Sequence, residues 1–421
     1  MSASRVVERA MADRDLAEIL TTRPLHVLAV GKAAAPMAAA LVAVPGLTVR
    51  QAMAIGTHAA QALPDGVDWI ESGHPFPDAR SEVAGRTALA IAESVHSGEV
   101  LLILLSGGAS ALMALPVEGI SLADKVSTTR LMMNAGADIH ALNTVRRHLS
   151  RVKGGRLAAA CVGTTMTLAL SDVVGDNLNA IGSGPGVADS TTWTDAAAAL
   201  DCFGGPEHLA AVRAVIRRGL AGEIPDTPLP GHAALTRTMA RVIGGRLDAM
   251  AGAQAAAEAL GYTVVTMAEP VVGEAKLAGP AWLERARHVS VGMARPVCVI
   301  SGGETTVRVT GNGLGGRNLE FVLSIVEAIA DPGDPTEVGR YERPCVAAAS
   351  IGTDGIDGSS GVAGAIVDST TRARAAEAGL QSPADYLATN NSLAFFAPLD
   401  DAIRLGRTET NVGDLQVIVM S

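Results

Sequence analysis

Three times in the first half of this 421-residue chain a largely apolar run ends at a small-residue loop, and two of these loops open a helix. His26–Val30 leads into Gly31-Lys32 and an Ala-rich helix from Ala33; Val100–Leu105 leads into Ser106-Gly107-Gly108-Ala109-Ser110; Thr165–Leu170 leads into Ser171-Asp172. A strand that is apolar at every position must be covered on both faces, which predicts an α/β unit built on a parallel sheet with helices on each side. In open sheets of this kind ligands collect beyond the carboxyl ends of the strands, where these loops fall.

The chain is long enough for more than one core, because single cores stop growing at roughly 250–300 residues. The Pro/Gly-rich stretch from Ile224 to Gly231 is the natural place to divide it, giving domains over 1–235 and 236–421. Beyond that stretch an Ala-rich helix (Ala249–Leu260) precedes strands at Tyr262–Met267 and Pro296–Ile300. Thr306–Thr310 alternates in the manner of a half-exposed antiparallel strand, so the second domain is expected to carry a mixed sheet. Aromatic residues make up only 3% of the chain, and the cores must be packed from Ala, Val, Leu and Ile. A formal charge of −10 argues against nucleic acid or an anionic membrane as the main partner. No apolar run approaches the ~20 residues that span a bilayer, and no signal peptide is visible at the N-terminus. The four cysteines (Cys161, Cys202, Cys298, Cys345) are widely spaced and read as reduced, buried thiols of a cytoplasmic protein.

The polar loops carry the chemistry. Gly31-Lys32-Ala33 puts an ammonium beside a helix start, as a phosphate or carboxylate ligand or as a Lys reaching to solvent; it lacks the Gly and Ser/Thr of a P-loop. Ser106, Gly107, Gly108 and Ser110 offer N–H and hydroxyl groups to an anion; Leu112 breaks the G-x-S-x-G pattern of a hydrolase elbow. Asn143 to Arg156 reads as one basic helix with Val145, Leu149 and Val152 on its apolar face, stopped by Gly154-Gly155. Its cations, Arg147 among them, either surround an anionic site or form a solvated face. Asp172 and Asp176 flank Gly175, a spacing suited to Mg²⁺, to general-base work or to Asx turns, and Gly182-Ser183-Gly184-Pro185-Gly186 follows as a second anion-friendly loop.

The densest loop is Ser301-Gly302-Gly303-Glu304, continuing to Gly311-Asn312-Gly313-Leu314-Gly315-Gly316-Arg317-Asn318. Bare N–H groups there can cradle phosphate oxygens, a guanidinium at Arg317 can stabilise charge on a transferring phosphoryl group, and carboxylates such as Glu304 stand nearby. Gly311-x-Gly313-x-x-Gly316 also fits the dinucleotide pattern, with Glu337 about 20 residues on, but the strand before it alternates and an Arg opens the helix. Asp354 and Asp357 alternate with Gly355 and Gly358 without the closing Glu of a calcium loop, leaving Asp354 as a further metal candidate. The histidines show no paired zinc-ligand spacing.

Read in order, these stretches resemble the class of glycerate 2-kinases whose C-terminal half is called the MOFRL domain, proteins formerly labelled hydroxypyruvate reductases. The resemblance runs through Val30–Ala34, Ser106–Leu112, Asn143–Leu157, Ser171–Pro185, Gly302–Glu320, Gly352–Asp368, Asn390–Phe396 and Thr410–Leu415. It implies two α/β domains, a Rossmann-like N-terminal one and a mixed-sheet MOFRL one, with an active-site cleft between them. It also implies ATP- and Mg²⁺-dependent phosphorylation of D-glycerate to 2-phosphoglycerate; with the charge and cysteine pattern above, the expected setting is the cytoplasm without nucleic-acid or membrane partners, and a homodimer is a reasonable assembly for a metabolic enzyme. The family's catalytic Lys falls on Lys32 and its catalytic Arg on Arg317; Asp172 is the expected base, and Asp172, Asp176 and Asp354 the expected metal ligands. Ser106, Gly107, Gly108, Ser110, Arg147, Gly302, Gly303, Glu304, Gly313, Gly315, Gly316 and Asn318 are the expected substrate- and phosphate-binding residues. The chain departs from the family at Gly186, Leu319, Gly361 and Arg407–Thr410. The alternatives are an NAD(P)H-dependent hydroxypyruvate reductase and a divergent relative with another hydroxy-acid substrate or no catalysis.

Overall fold

The computed structural model describes residues 3–58, 63–330 and 346–421; Glu337 and Cys345 lie outside the described residues. The chain divides into one compact unit ending at Gly244 and another from Gly245 to Ser421.

In the first unit β1 (Leu25–Val30), β2 (Val49–Gly56), β3 (Val67–Glu71), β4 (Val100–Leu105), β5 (Thr164–Leu170) and β6 (Thr238–Gly244) form one sheet in the order β3-β2-β1-β4-β5-β6. Every neighbouring pair is parallel. β1 and β4 are buried along their whole length, as their unbroken apolar runs require. Each such Leu, Val or Ile withdrawn from water contributes about 1.5–3 kcal/mol before the entropy of ordering it. β6 lies beyond the Pro/Gly stretch and still joins this sheet, so the unit reaches Gly244 rather than the residue 235 at which the turn composition placed its end. The N-terminus forms two helices, α1 (Ala3–Met11) and α2 (Arg14–Thr22); the Asp13 carboxylate accepts from the N–H groups of Asp15 and Leu16 and starts the second.

Helices α3 (Ala34–Val42), α4 (Ala79–Ser94), α5 (Ala109–Leu112), α6 (Leu122–Asn134), α7 (Ile139–His148), α8 (Arg156–Ala159), α9 (Trp193–Cys202) and α10 (Ala210–Leu220) complete the unit. The basic helix is shorter than its pattern suggested. α7 stops at His148, the buried ammonium of Lys125 takes up the carbonyls of Arg146 and Leu149 (3.1 Å each), and Ser150 bridges to Pro116. Val145, Leu149 and Val152 are nevertheless all buried.

The second unit carries β7 (Thr263–Thr266), β8 (Val271–Glu274), β9 (Val297–Thr306), β10 (Val346–Gly352), β11 (Gly364–Asp368), β12 (Ala402–Ile403) and β13 (Asp414–Met420). Their order is β12-β11-β10-β13-β9-β7, with β8 also paired to β9. β9 is the pivot of a mixed sheet: antiparallel to β13, parallel to β7 and β8. The alternating stretch after Thr306 is not a strand; its Thr310 and Gly311 N–H groups turn to the Asn390 side chain instead of a sheet partner. Helices α11 (Arg246–Ala259), α12 (Ala275–Val289) and α13 (Arg317–Leu323) flank the sheet, and α13 is buried from Asn318 to Leu323. Cys161 and Cys298 are free and buried, but Cys202, at the end of α9, is exposed, against expectation. No helix among the described residues is long and apolar enough to cross a membrane.

Candidate active-site residues

In the first unit the chain leaves β1 through Gly31 and Lys32 before entering α3. The backbone N–H of Lys32 donates to the Gly107 carbonyl (2.9 Å), and that of Ala33 donates to the Ser106 hydroxyl (3.1 Å). The loops after β1 and β4 are thus stitched together. Ser106 is fully buried, and its hydroxyl holds the two loops together. The Lys32 stem runs over Gly108, its Cγ 3.5 Å from where a Cβ on Gly108 would sit. The Gly107, Gly108 and Ala109 N–H groups meet no protein acceptor among the described residues. α5 is only one turn, so its macrodipole is small; what the loop offers an anion is this run of N–H groups beside an ammonium.

The Ser110 hydroxyl continues the row. It lies 2.8 Å from the Ser183 hydroxyl, which donates to Asn143 Oδ1 (3.2 Å). Close by, Arg147 is buried and donates through Nε to Asp189 (2.8 Å) and through Nη2 to Thr191 (3.3 Å). Asn143, Thr144, Arg147, Asn179, Asp189 and Thr191 help line a polar cavity of about 150 Å³. Asp172 is half-buried on the loop after β5, and Asp176 is exposed in a left-handed turn (φ 54°).

In the second unit Arg317 opens α13, the wrong end of a helix for a cation. Two carboxylates hold it there. Its Nε and Nη2 form a bidentate pair with Asp414 (2.7 and 2.9 Å), and Nη1 donates to Glu304 (2.7 Å). Burial alone would lower the Arg317 pKa, but Asp414 and Glu304 outweigh it and raise it, so the guanidinium is permanently charged. Asn318, also buried, donates from Nδ2 to Asp414 (3.0 Å) and Asp357 (3.3 Å) and accepts from Ser350. Its side chain is spent on holding these acids in place.

Asp357 is the counterweight at the start of α13, accepting from the N–H groups of Asn318 (3.1 Å) and Leu319 (2.9 Å). Gly316 is required for that approach: a Cβ there would lie 2.3 Å from the Asp357 carboxyl carbon. Burial pushes the Asp357 pKa up to about 6 against those hydrogen bonds; burial likewise raises Asp414, with Arg317 pulling the other way. The N–H groups of Thr310, Gly311, Gly313 and Leu314 bond to Asn390, Thr389 and Asn391, which leaves those of Gly315 and Gly316, next to Arg317, unmatched among the described residues. Gly302 and Gly303 lie within β9 and lead to Glu304, and Asp354 lies near enough to raise the Asp414 pKa.

Lys32, Gly107, Gly108 and Ser110 therefore share one corner of the first unit, and Glu304, Gly315, Gly316, Arg317 and Asn318 one corner of the second. Asp414, Asp357, Ser183, Asn143 and Asp189 were not singled out as site residues from sequence. An isolated acid near the C-terminus carries no local signal that it pairs with an Arg 97 positions earlier. No group of three or more His, Cys, Asp or Glu side chains among the described residues is arranged to hold a metal ion by itself. The acids present offer oxygen donors only, which suits Mg²⁺, an ion usually held by one or two carboxylates with substrate phosphates and water.

Known proteins match nearly the whole chain. A domain of unknown function (DUF4147) matches residues 1–217, and the MOFRL family matches residues 297–414. A glycerate 2-kinase of Pyrococcus horikoshii is 37% identical over 94% of this chain and 87% of its own length. An Agrobacterium vitis protein carrying a provisional hydroxypyruvate reductase name is 34% identical over 100% of this chain and 95% of its own. The crystal structure of a glycerate kinase from Thermotoga maritima superposes with a TM-score of 0.81 at 33% identity, covering 100% of this chain and 98% of that one.

Proposed function

Since the chain belongs to the glycerate 2-kinase family, we propose that it transfers the γ-phosphoryl group of ATP to the 2-hydroxyl of D-glycerate. The observation that carries the reading is Arg317, whose guanidinium is locked by Asp414 and Glu304 on three N–H groups while the rest of its fork stays available beside Gly315 and Gly316. A planar fork fixed in advance can grip two equatorial oxygens of a transferring phosphoryl group at no cost in reorganisation. Lys32, with the N–H groups of Gly107 and Gly108, neutralises the substrate carboxylate or phosphate oxygens, and Ser110 adds a hydroxyl. Arg147 contributes positive charge from the polar cavity. Asp172 accepts the proton of the 2-hydroxyl as its oxygen bonds to phosphorus and the bond to the ADP oxygen breaks. Asp172 and Asp176 in the first unit, and Asp354 in the second, are the candidate carboxylates for Mg²⁺, which when bound would offset charge on the phosphates. Gly302 and Gly303 bring Glu304 to Arg317.

The domain limits follow the two compact units, and the proposed setting is the cytoplasm, as a homodimer. The reductase alternative is disfavoured by the Gly311–Gly316 segment, whose N–H groups at Gly311 and Gly313 are already bonded to the Thr389–Asn391 turn rather than open to a pyrophosphate. Two assays on the purified chain decide between them. D-glycerate-dependent ADP release with Mg²⁺ supports the kinase, and NADH oxidation by hydroxypyruvate without ADP release refutes it.

A further inference from the structure

Three cations in the first unit lack a negative partner. Lys125 and Lys153 are almost wholly buried, at 5% and 1% exposure, and Arg146 is half-buried. Among the described residues none of the three makes an ion pair with a carboxylate. Lys125 has two carbonyl acceptors at the end of α7, where an ammonium also suits the helix dipole, and this accounts for it. Lys153 has one distant acceptor, the Gly182 carbonyl at 3.4 Å. The guanidinium of Arg146 has none among the described residues. Its neighbour Arg147 differs in this respect, since Asp189 answers it directly.

The three also crowd one another. Burial, then repulsion from Arg146, lowers the Lys153 pKa to about 7; burial and then Lys153 and Arg146 lower that of Lys125; burial lowers that of Arg146 to about 10. Arg156 belongs to the same group but feels Asp226 and Asp189 and donates to the Pro225 carbonyl. Gathering cations that lack a carboxylate partner costs stability, a cost that a bound anion would offset.

The position of the cluster says where that anion belongs. Lys153 holds the carbonyl of Gly182, the first of three successive left-handed residues, Gly182, Ser183 and Gly184 (φ 60°, 61° and 63°). The Gly154 and Gly155 N–H groups hold the Ser183 and Gly184 carbonyls (3.0 and 2.8 Å). A non-glycine residue in this conformation costs about 1–2 kcal/mol. Here it sends the buried Ser183 hydroxyl onto Ser110, at the end of the anion-ready loop beside Lys32.

We propose that Arg146, backed by Lys153 and Lys125, is a phosphate-binding subsite continuous with the Gly107–Ser110 loop, its guanidinium receiving the oxyanion of a phosphorylated ligand. That the anion is a phosphate rests on the kinase reading; its source is either the nucleotide or the phosphorylated sugar acid.

The test uses the full chain, Arg146→Gln and Arg146→Lys, with tripolyphosphate and 2-phospho-D-glycerate as probes in calorimetric titration, and KM measured for ATP and for D-glycerate. Loss of the charged fork is expected to weaken binding of at least one probe ~10–100-fold, with Arg146→Lys between it and the parent. A rise confined to tripolyphosphate Kd and ATP KM assigns the subsite to the nucleotide; a rise confined to 2-phosphoglycerate assigns it to the sugar acid. Should Arg146→Gln not fold, Lys153→Met carries the same test, expected to weaken probe binding without lowering the Tm of the unliganded protein. Probe affinities within threefold of the parent in folded variants, or a parent that binds neither probe, overturn the proposal. Turnover of D-glycerate that ignores Arg146 refutes the subsite and leaves the kinase reading standing. Arg146-dependent tripolyphosphate binding without D-glycerate-dependent ADP release does the reverse.

Discussion

Replacing Arg317 with Lys keeps the charge and removes the fork. In the parent three N–H groups reach two carboxylates, the pair with Asp414 being bidentate. An ammonium on a flexible stem can satisfy Asp414 or reach toward Glu304, and cannot hold a plane against both. Asp414 is 2% exposed, so a poorly matched partner leaves a buried carboxylate partly uncompensated. Removing one partner of a buried pair outright costs about 3–5 kcal/mol; a Lys that retains the charge should lose a fraction of that, ~1–2 kcal/mol. The effect on catalysis is expected to be larger. A preorganised donor aimed at developing charge is worth ~2.7–4 kcal/mol, or about 10²–10³ in kcat. Because that contact strengthens in the transition state, kcat and kcat/KM should fall together while KM for D-glycerate stays near the parent value. Steady-state kinetics on a variant with a cooperative melt is the assay. A kcat within about fivefold of the parent, roughly 1 kcal/mol, would mean that Arg317 serves only the acids around it.

Lys32→Ala should remove most turnover with the melting temperature little changed, and unchanged kcat/KM in the folded variant would remove Lys32 from the site. Asp172→Asn with Asp176→Asn should raise the Mg²⁺ concentration needed for half-maximal rate or cut kcat; a parental Mg²⁺ titration and rate would move the metal role to Asp354. Asp357 gives a pH signature. Its carboxyl is raised from 3.8 to about 6 in the fold, so the folded state binds more protons than the unfolded one between those values, and stability falls as pH rises through that window. A shift of that size corresponds to roughly 3 kcal/mol. The melting temperature of the parent should therefore fall relative to Asp357→Asn between about pH 4 and 6 and run parallel to it above, whereas a constant difference would show that Asp357 titrates normally.

Three strands of the first sheet were legible because β1 and β4 are apolar at nearly every position and β5 ends in an apolar run, whereas β2 and β3 mix charged and apolar residues and gave no such signal. The end of that sheet was not legible either. β6 alternates intermediate and exposed positions and follows a Pro/Gly stretch, so its local texture resembles the second half more than the first. The basic segment misled for a related reason. Helical spacing at Val145, Leu149 and Val152 described burial correctly, but tertiary capping by Lys125 ended α7 sooner than the pattern implied. At the site, Arg317 and Lys32 stood out because each charge sits against glycines after a strand. Their partners did not, since pairing Arg317 with Asp414, or Ser110 with Ser183, depends on contacts between distant stretches of chain.

The account is tested most directly by the identity of the product. Incubation of the chain with ATP, Mg²⁺ and D-glycerate, followed by phosphorus NMR, should show equal growth of ADP and of a phosphomonoester coupled to the single proton on C2. A phosphomonoester coupled to the two protons on C3, or D-glycerate recovered unchanged while the protein remains folded, would contradict it.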